Sequence, residues 1–121
     1  MHSVGVDIIE ITRIRQAIDR WGERFLNRIF TSTELKICRQ SPERLAGRFA
    51  GKEAVMKALG TGVKGVDWRE IEIISERSGK PLVQLHGQAQ DKANSLGLSE
   101  LAISLSDSRE YAVAFVVGEI G

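Results

Sequence analysis

The sequence predicts an α+β fold in which a mostly antiparallel sheet packs with one long central helix, and three observations carry that prediction. The hydrophobic period changes from two to about 3.6 within the first dozen residues. The stretch 42–59 reads as one uninterrupted helix, rich in small residues. Beyond it, strand-like runs are separated by turn residues, so the order is β, several helices, ββ, α, ββ. At 121 residues the chain has room for one domain, spanning 1–121, and one core, so a single site is expected.

Each element has its own signal. "SVGVDIIEI" alternates Val4, Val6 and Ile8 against Gly5, Asp7 and Ile9, a strand with Asp7 on the face opposite the valines. Ile11, Ile14, Ile18, Trp21 and Phe25 then recur at three- and four-residue spacing, which predicts a helix from about residue 10 into the high twenties, with Gly22 as a candidate break. On its opposite side Arg13, Arg20, Arg24 and Arg28 fall within roughly 80° of one another, at about 100° per residue, and form an arginine rail. "TSTE" (31–34) has the form of a capping box, with Thr31 at the N-cap and Glu34 at N3. Ser41 and Pro42 open the long helix, and Gly60 stands in its C-terminal capping region. "EIEII" (70–74) and "PLVQLH" (81–86) flank a hairpin turn, a helix fits 87–96, and two more strands are joined around Asp107 to Arg109.

Composition narrows the class. Forty-two per cent hydrophobic and 27% charged residues describe an ordinary globular protein. The lone Cys38 permits no intrachain disulfide and fits a reducing compartment. No export signal and no membrane-spanning stretch is read, so a cytoplasmic protein without membrane insertion is expected. Net charge is +1, yet residues 1–60 carry 11 Lys+Arg against 7 Asp+Glu. A basic N-terminal half points to an anionic partner.

The chemistry concentrates in "GRFAGKEAVMKALGTG" (47–62). Gly47, Ala50, Gly51, Ala54 and Ala58 make a strip of small residues on the 42–59 helix, against which something packs closely. Glu53 and Lys57 are spaced i, i+4, which is either a helix-stabilising ion pair or part of a site. Such a pair beside so much apolar surface needs partners, which favours the site. Asp7, an acid within an apolar strand, asks for a partner too. That partner is either an arginine or, together with Glu53, a metal ion. Two hard oxygen ligands suit Mg²⁺ completed by water and substrate phosphates, with Lys57 reaching a phosphate oxygen.

Other motifs are weaker. "GTGVKG" (60–65) matches G-x-G-x-x-G formally, but it closes a helix instead of following a strand, and Lys52 and Lys57 come before these glycines, so neither a dinucleotide fold nor a P-loop is read. The loop is still expected to offer backbone N–H groups to a phosphate. His2 and His86 have no cluster around them that would make a zinc site. Cys38 reads as core.

"GVDIIEI", "GRFAGKEAVMKALGTG" and "ISLSDSREYAVA" together resemble the holo-acyl-carrier-protein synthase family of 4′-phosphopantetheinyl transferases, from Val4 to about Val117. The central motif is the specific one. The resemblance implies transfer of the phosphopantetheine arm of coenzyme A to a serine of apo acyl carrier protein, releasing adenosine 3′,5′-bisphosphate. It implies Asp7 and Glu53 as Mg²⁺ ligands and Asp7, Glu53 and Lys57 as the catalytic set. Arg48, Lys52, Lys57, Gly60, Thr61 and Gly62 form the expected coenzyme A-binding set, with Arg48 at the phosphate end. Arg13, Arg20, Arg24 and Arg28 match the basic residues that bind the acidic carrier, and the short members of the family are homotrimers. Many members carry histidine where this chain has Asp107, so no coenzyme A contact is expected from Asp107. The proton of the attacking serine is assigned to a water held by Glu53 or the metal.

Two rivals belong to other classes. An arginine-lined helix also suits a nucleic-acid-binding module, but the net charge is small, aromatics make up only 6% of the chain, and no base-reading set is evident, so no nucleic-acid partner is expected. An inactive coenzyme A-binding regulator would bind the cofactor without transferring its arm.

Overall fold

The computed structural model describes residues 1–62 and 65–121. Its elements are β1 (His2–Glu10), α1 (Ile11–Trp21), α2 (Glu23–Ile29), α3 (Ser32–Cys38), α4 (Pro42–Leu59), a 3-10 turn (Trp68–Glu70), β2 (Ile71–Ser75), β3 (Pro81–Leu85), α5 (Gly87–Leu96), β4 (Leu98–Asp107) and β5 (Tyr111–Ile120). The α+β class and the antiparallel pairing are as expected, but the strands divide into two sheets. One has the order β1-β5-β4, and the other is the β2-β3 hairpin.

Local chemistry sets the helix ends. Gly22, at φ +56°, ends α1 by donating its N–H to Ile18 O at 2.7 Å and begins α2, so the expected helical stretch breaks at its candidate glycine into two helices. The residue has no Cβ to penalise that conformation. The capping box forms: Glu34 N–H donates to Thr31 Oγ1 at 3.2 Å and Thr31 N–H donates to Glu34 Oε1 at 2.9 Å. Ser41 Oγ accepts from Arg44 N–H at 3.3 Å at the start of α4, and Gly60 closes that helix at φ +72°.

Helix α4 is the centre of the molecule, with twelve of its eighteen residues buried. Its small strip receives other elements, as the spacing predicted. Gly51 faces Ile73 of β2 and Ile103 of β4, and Gly47 faces Leu105. The closest approach is that of β1. A Cβ built on Gly5 would stand 1.9 Å from the carbonyl oxygen of Ala54, and Ser3 Oγ donates to Ala58 O at 2.5 Å. Only glycine lets the strand lie this close.

That approach decides which face of β1 is inside. Gly5 and Ile9 are buried and Asp7 is half-buried, whereas Val4, Val6 and Ile8 are 57%, 51% and 61% exposed. Tyr111 and Phe115 of the neighbouring β5 are exposed as well. The outer face of the three-stranded sheet is therefore an uncovered apolar surface.

Candidate active site

Asp7 and Glu53 come from β1 and α4, and the approach at Gly5 brings them together. Lys57 joins them by an unexpected route. Its ammonium donates to Asp7 Oδ1 at 3.2 Å and to the carbonyl oxygen of Val6 at 2.8 Å. Lys57 thus ties α4 to the strand, and the intrahelical Glu53–Lys57 ion pair is not the bond it makes. The i, i+4 pairing is outcompeted because β1 lies within reach and offers a carboxylate and a carbonyl together.

Burial raises the pKa of Glu53, and the negative charge of Asp7 raises it further, while Lys57 and Arg13 pull it back. Two carboxylates thus repel each other in a partly desolvated place, with two cations near them. This donor set fits Mg²⁺, which takes one or two carboxylates and leaves its other positions to water and phosphate. Among the described residues no group of three or more His, Cys, Asp or Glu side chains forms a candidate metal site, so a zinc-type cage is not offered. A cation between Asp7 and Glu53 would relieve their repulsion, and Lys57, more than half exposed, is free to turn toward an anion.

Lys52, expected in the coenzyme A-binding set, is buried and bonded within the chain. It has no exposed surface, and its ammonium is bonded to Glu34 Oε1 at 2.8 Å, Trp68 O at 3.0 Å and the carbonyl oxygen of Ile71. Three donors meet three acceptors, which leaves none for a ligand. The reason lies in helix geometry. Residues 52 and 53 differ by 100° around α4, so Lys52 faces β2 and Glu53 faces β1. Arg48 shares the Lys52 face. It donates from Nε to Ile73 O at 3.4 Å and from Nη2 to Ser75 Oγ at 2.8 Å, apart from the two carboxylates. Two of its five N–H groups are engaged in these bonds.

The glycine loop is also used differently from expectation. The N–H of Gly60 donates to Lys57 O at 3.1 Å and that of Thr61 to Met56 O at 3.1 Å, so both close α4 and neither faces outward to a phosphate. Gly62 has φ +64° and open space around it. Val63 and Lys64 of "GTGVKG" lie outside the described residues.

Arg13, Arg20, Arg24 and Arg28 are all exposed, but the break at Gly22 divides the rail into α1 and α2 portions. Arg13 belongs to the site as well, through its charge on Glu53. Asp107 ends β4 and is exposed. Sequence reasoning missed Glu34 as the buried partner of Lys52. The signal for it was the lysine itself, since an ammonium on the most apolar helix needs an acid nearby.

The sequence matches the 4′-phosphopantetheinyl transferase superfamily over residues 3–116. It is 52% identical to the holo-[acyl-carrier-protein] synthase of Herpetosiphon aurantiacus, covering 94% of this chain and 95% of that one. It is 55% identical to the synthase of Dehalococcoides mccartyi strain CBDB1, covering 95% and 96%. The structure resembles the Helicobacter pylori holo-[acyl-carrier-protein] synthase in complex with coenzyme A, with a TM-score of 0.88, 32% identity, and coverage of 96% of this chain and 99% of that one. A fold that brings an aspartate, a glutamate and a lysine to one strand–helix contact and matches these relatives along nearly its whole length places the chain in the 4′-phosphopantetheinyl transferase superfamily.

Proposed function

We propose that the protein transfers the 4′-phosphopantetheine arm of coenzyme A to a serine of apo acyl carrier protein, giving the holo carrier and adenosine 3′,5′-bisphosphate. The observation that carries this reading is the meeting of Asp7, Glu53 and Lys57, with the charge of Arg13 acting on Glu53. The serine oxygen attacks the β-phosphorus of the pyrophosphate, and the bond to the bridging oxygen breaks. Lys57 moves from Asp7 to the phosphate oxygens and offsets the charge that grows on the departing bisphosphate. Glu53 holds the water that accepts the serine proton. Mg²⁺, when bound by Asp7 and Glu53, would supply Lewis-acid neutralisation of the pyrophosphate. Arg48 and Gly62 remain candidates for contacts to coenzyme A, whereas Lys52, Gly60 and Thr61 are occupied within the chain.

The protein is further read as a homotrimer. Its support is the uncovered apolar face of Val4, Val6, Ile8, Tyr111 and Phe115, which a second copy of the chain would bury. No helix among the described residues is long and apolar enough to cross a membrane, and a cytoplasmic location remains part of the proposal.

Intact-mass measurement of apo acyl carrier protein, incubated with the protein, coenzyme A and Mg²⁺, tests the reaction. A gain of one phosphopantetheine arm, lost with EDTA and lost in Asp7→Ala, is expected. Bound coenzyme A without any mass gain on the carrier would favour an inactive regulator instead. Near-wild-type transfer by Asp7→Ala would remove the metal assignment.

A further inference from the structure

Arg44, Arg48 and Lys52 follow one another at four-residue spacing on α4, so three cations share the helix face that looks toward α3 and β2. Like charges at that spacing work against a helix unless acids answer them. Lys52 is answered by Glu34 at 2.8 Å. The carboxylate of Glu34 is then fully used, since Oε1 also accepts from Thr31 N–H and Oε2 from Ile73 N–H. Among the described residues neither Arg48 nor Arg44 forms an ion pair. Arg44 is exposed and donates only to Ile37 O at 3.4 Å, but Arg48 is 8% exposed. A guanidinium withdrawn from water without a counter-charge is costly, and an arriving anion would offset that cost.

The strand opposite is adapted to this cation. By its period of two, β2 turns Ile71, Ile73 and Ser75 to one face, and both isoleucines are buried. The pattern calls for a third apolar residue, and serine stands there. Its Oγ accepts from Arg48 Nη2 at 2.8 Å, beside the bond from Arg48 Nε to Ile73 O. Two contacts on one edge fix the plane of the guanidinium and leave three of its N–H groups to a ligand. The serine hydroxyl also keeps its own proton, which no acceptor among the described residues takes.

We propose that Ser75 is a specificity-determining residue for coenzyme A, acting with Arg48 on the ribose 3′-phosphate, a proposal that rests on the transferase reading above. Coenzyme A carries phosphate in two places, the pyrophosphate and the ribose 3′ position. The pyrophosphate reacts, and it belongs with Asp7, Glu53 and Lys57. Arg48 and Ser75 stand on the β2 side of α4, apart from the two carboxylates, which leaves the 3′-phosphate to them. Arg48 and Glu53 are five residues apart, a rise of about 7.5 Å along the helix, within the reach of one nucleotide. Three guanidinium N–H groups and one hydroxyl then face a phosphate rich in acceptors. Ser75 contributes twice, by donating its proton and by holding Arg48 in place before the ligand arrives, so that less freedom is lost on binding.

Ser75→Ala should raise the Kd and the KM for coenzyme A by about 3- to 15-fold. It should leave kcat at saturating coenzyme A and the carrier KM unchanged, and Ser75→Thr, which keeps the hydroxyl, should recover most of the loss. Dephospho-coenzyme A, which lacks the 3′-phosphate, separates this role from a structural one. In calorimetric titration the wild-type protein should bind it more weakly than coenzyme A, and Ser75→Ala should bind it as the wild type does, because the partner of the hydroxyl is gone. A strand merely distorted by the substitution would weaken both ligands alike. That result, or wild-type coenzyme A affinity in Ser75→Ala, with the wild-type protein still modifying the carrier, would overturn the assignment of Ser75 and leave the transferase reading standing. A wild-type protein that modifies no carrier and binds neither ligand would overturn both.

Discussion

Replacing Gly5 by alanine tests how the fold makes the site. The added Cβ would be 1.9 Å from Ala54 O, and ordinary contact begins at 3.4 Å, so β1 and α4 must part by about 1.5 Å. The obstacle is helix backbone, which cannot swing aside as a side chain tip can. Forced overpacking of this kind costs about 1–3 kcal/mol, which lowers the Tm by roughly 3–15 °C for a chain of this size. The functional effect should be larger. Asp7 is two residues along the same strand face, and a misplacement of about 1 Å can cost roughly 100-fold in rate. Lys57 would also lose its 3.2 Å bond to Asp7. Melting curves and kcat/KM for carrier modification, measured on the same preparation below its Tm, separate the two effects. Gly47→Ala is the matched control. Its Cβ would meet only Leu105 Cδ1 at 3.9 Å, and alanine in a helix interior gains about 0.5–1 kcal/mol over glycine. Wild-type melting and turnover in Gly5→Ala would refute the claim that this contact places Asp7.

In metal-free protein Glu53→Gln should raise the Tm, and with Mg²⁺ supplied it should abolish transfer. A carboxyl whose folded pKa is raised costs stability when ionised, above its folded pKa, and that cost fades as pH falls below it, so the gain in Tm should be present at pH 7 and shrink toward pH 4. Lys52→Met leaves Glu34 buried without its cation and should cost about 3–5 kcal/mol in urea unfolding, with the KM for coenzyme A unchanged while the protein stays folded. A raised KM with unaltered stability would return Lys52 to the ligand set. Reversing Arg20 and Arg24 to Glu should raise the carrier KM and flatten its salt dependence while sparing coenzyme A binding, and unchanged carrier kinetics would make them solvated charges only.

What the sequence made legible is local. The box at Thr31 and Glu34, the cap at Ser41, the Pro42 start and the Gly60 stop each depend on residues within four positions, and each forms. Asp7 and Glu53 were legible because carboxylates in apolar surroundings call for partners. The fate of Lys52 was not, because one residue on α4 turns a side chain by 100°, and only the positions of β1 and β2 say which side holds the site. Glu34 was hidden for a different reason. Its role in the cap accounted for it locally, yet its carboxylate also accepts from Ile73 N–H at 2.8 Å and from Lys52.

The alternation in β1 shows the same limit and explains why two functional features are coupled. A period of two says which residues share a face, but it does not say which face is buried. By apolarity alone Val4, Val6 and Ile8 would go inward. They do not, because the strip of glycine and alanine on α4 can be approached closely only by a strand face that begins with glycine. Gly5 inward carries Asp7 toward Glu53 and, by the same pleat, sends the three branched residues to the surface proposed to receive another copy of the chain. A one-residue slip of β1 against β5 would bury those residues and expose Asp7 in a single step. The carboxylate pair and the apolar face are therefore one consequence of one contact, so a change that loosens β1 from α4 should weaken both assembly and turnover.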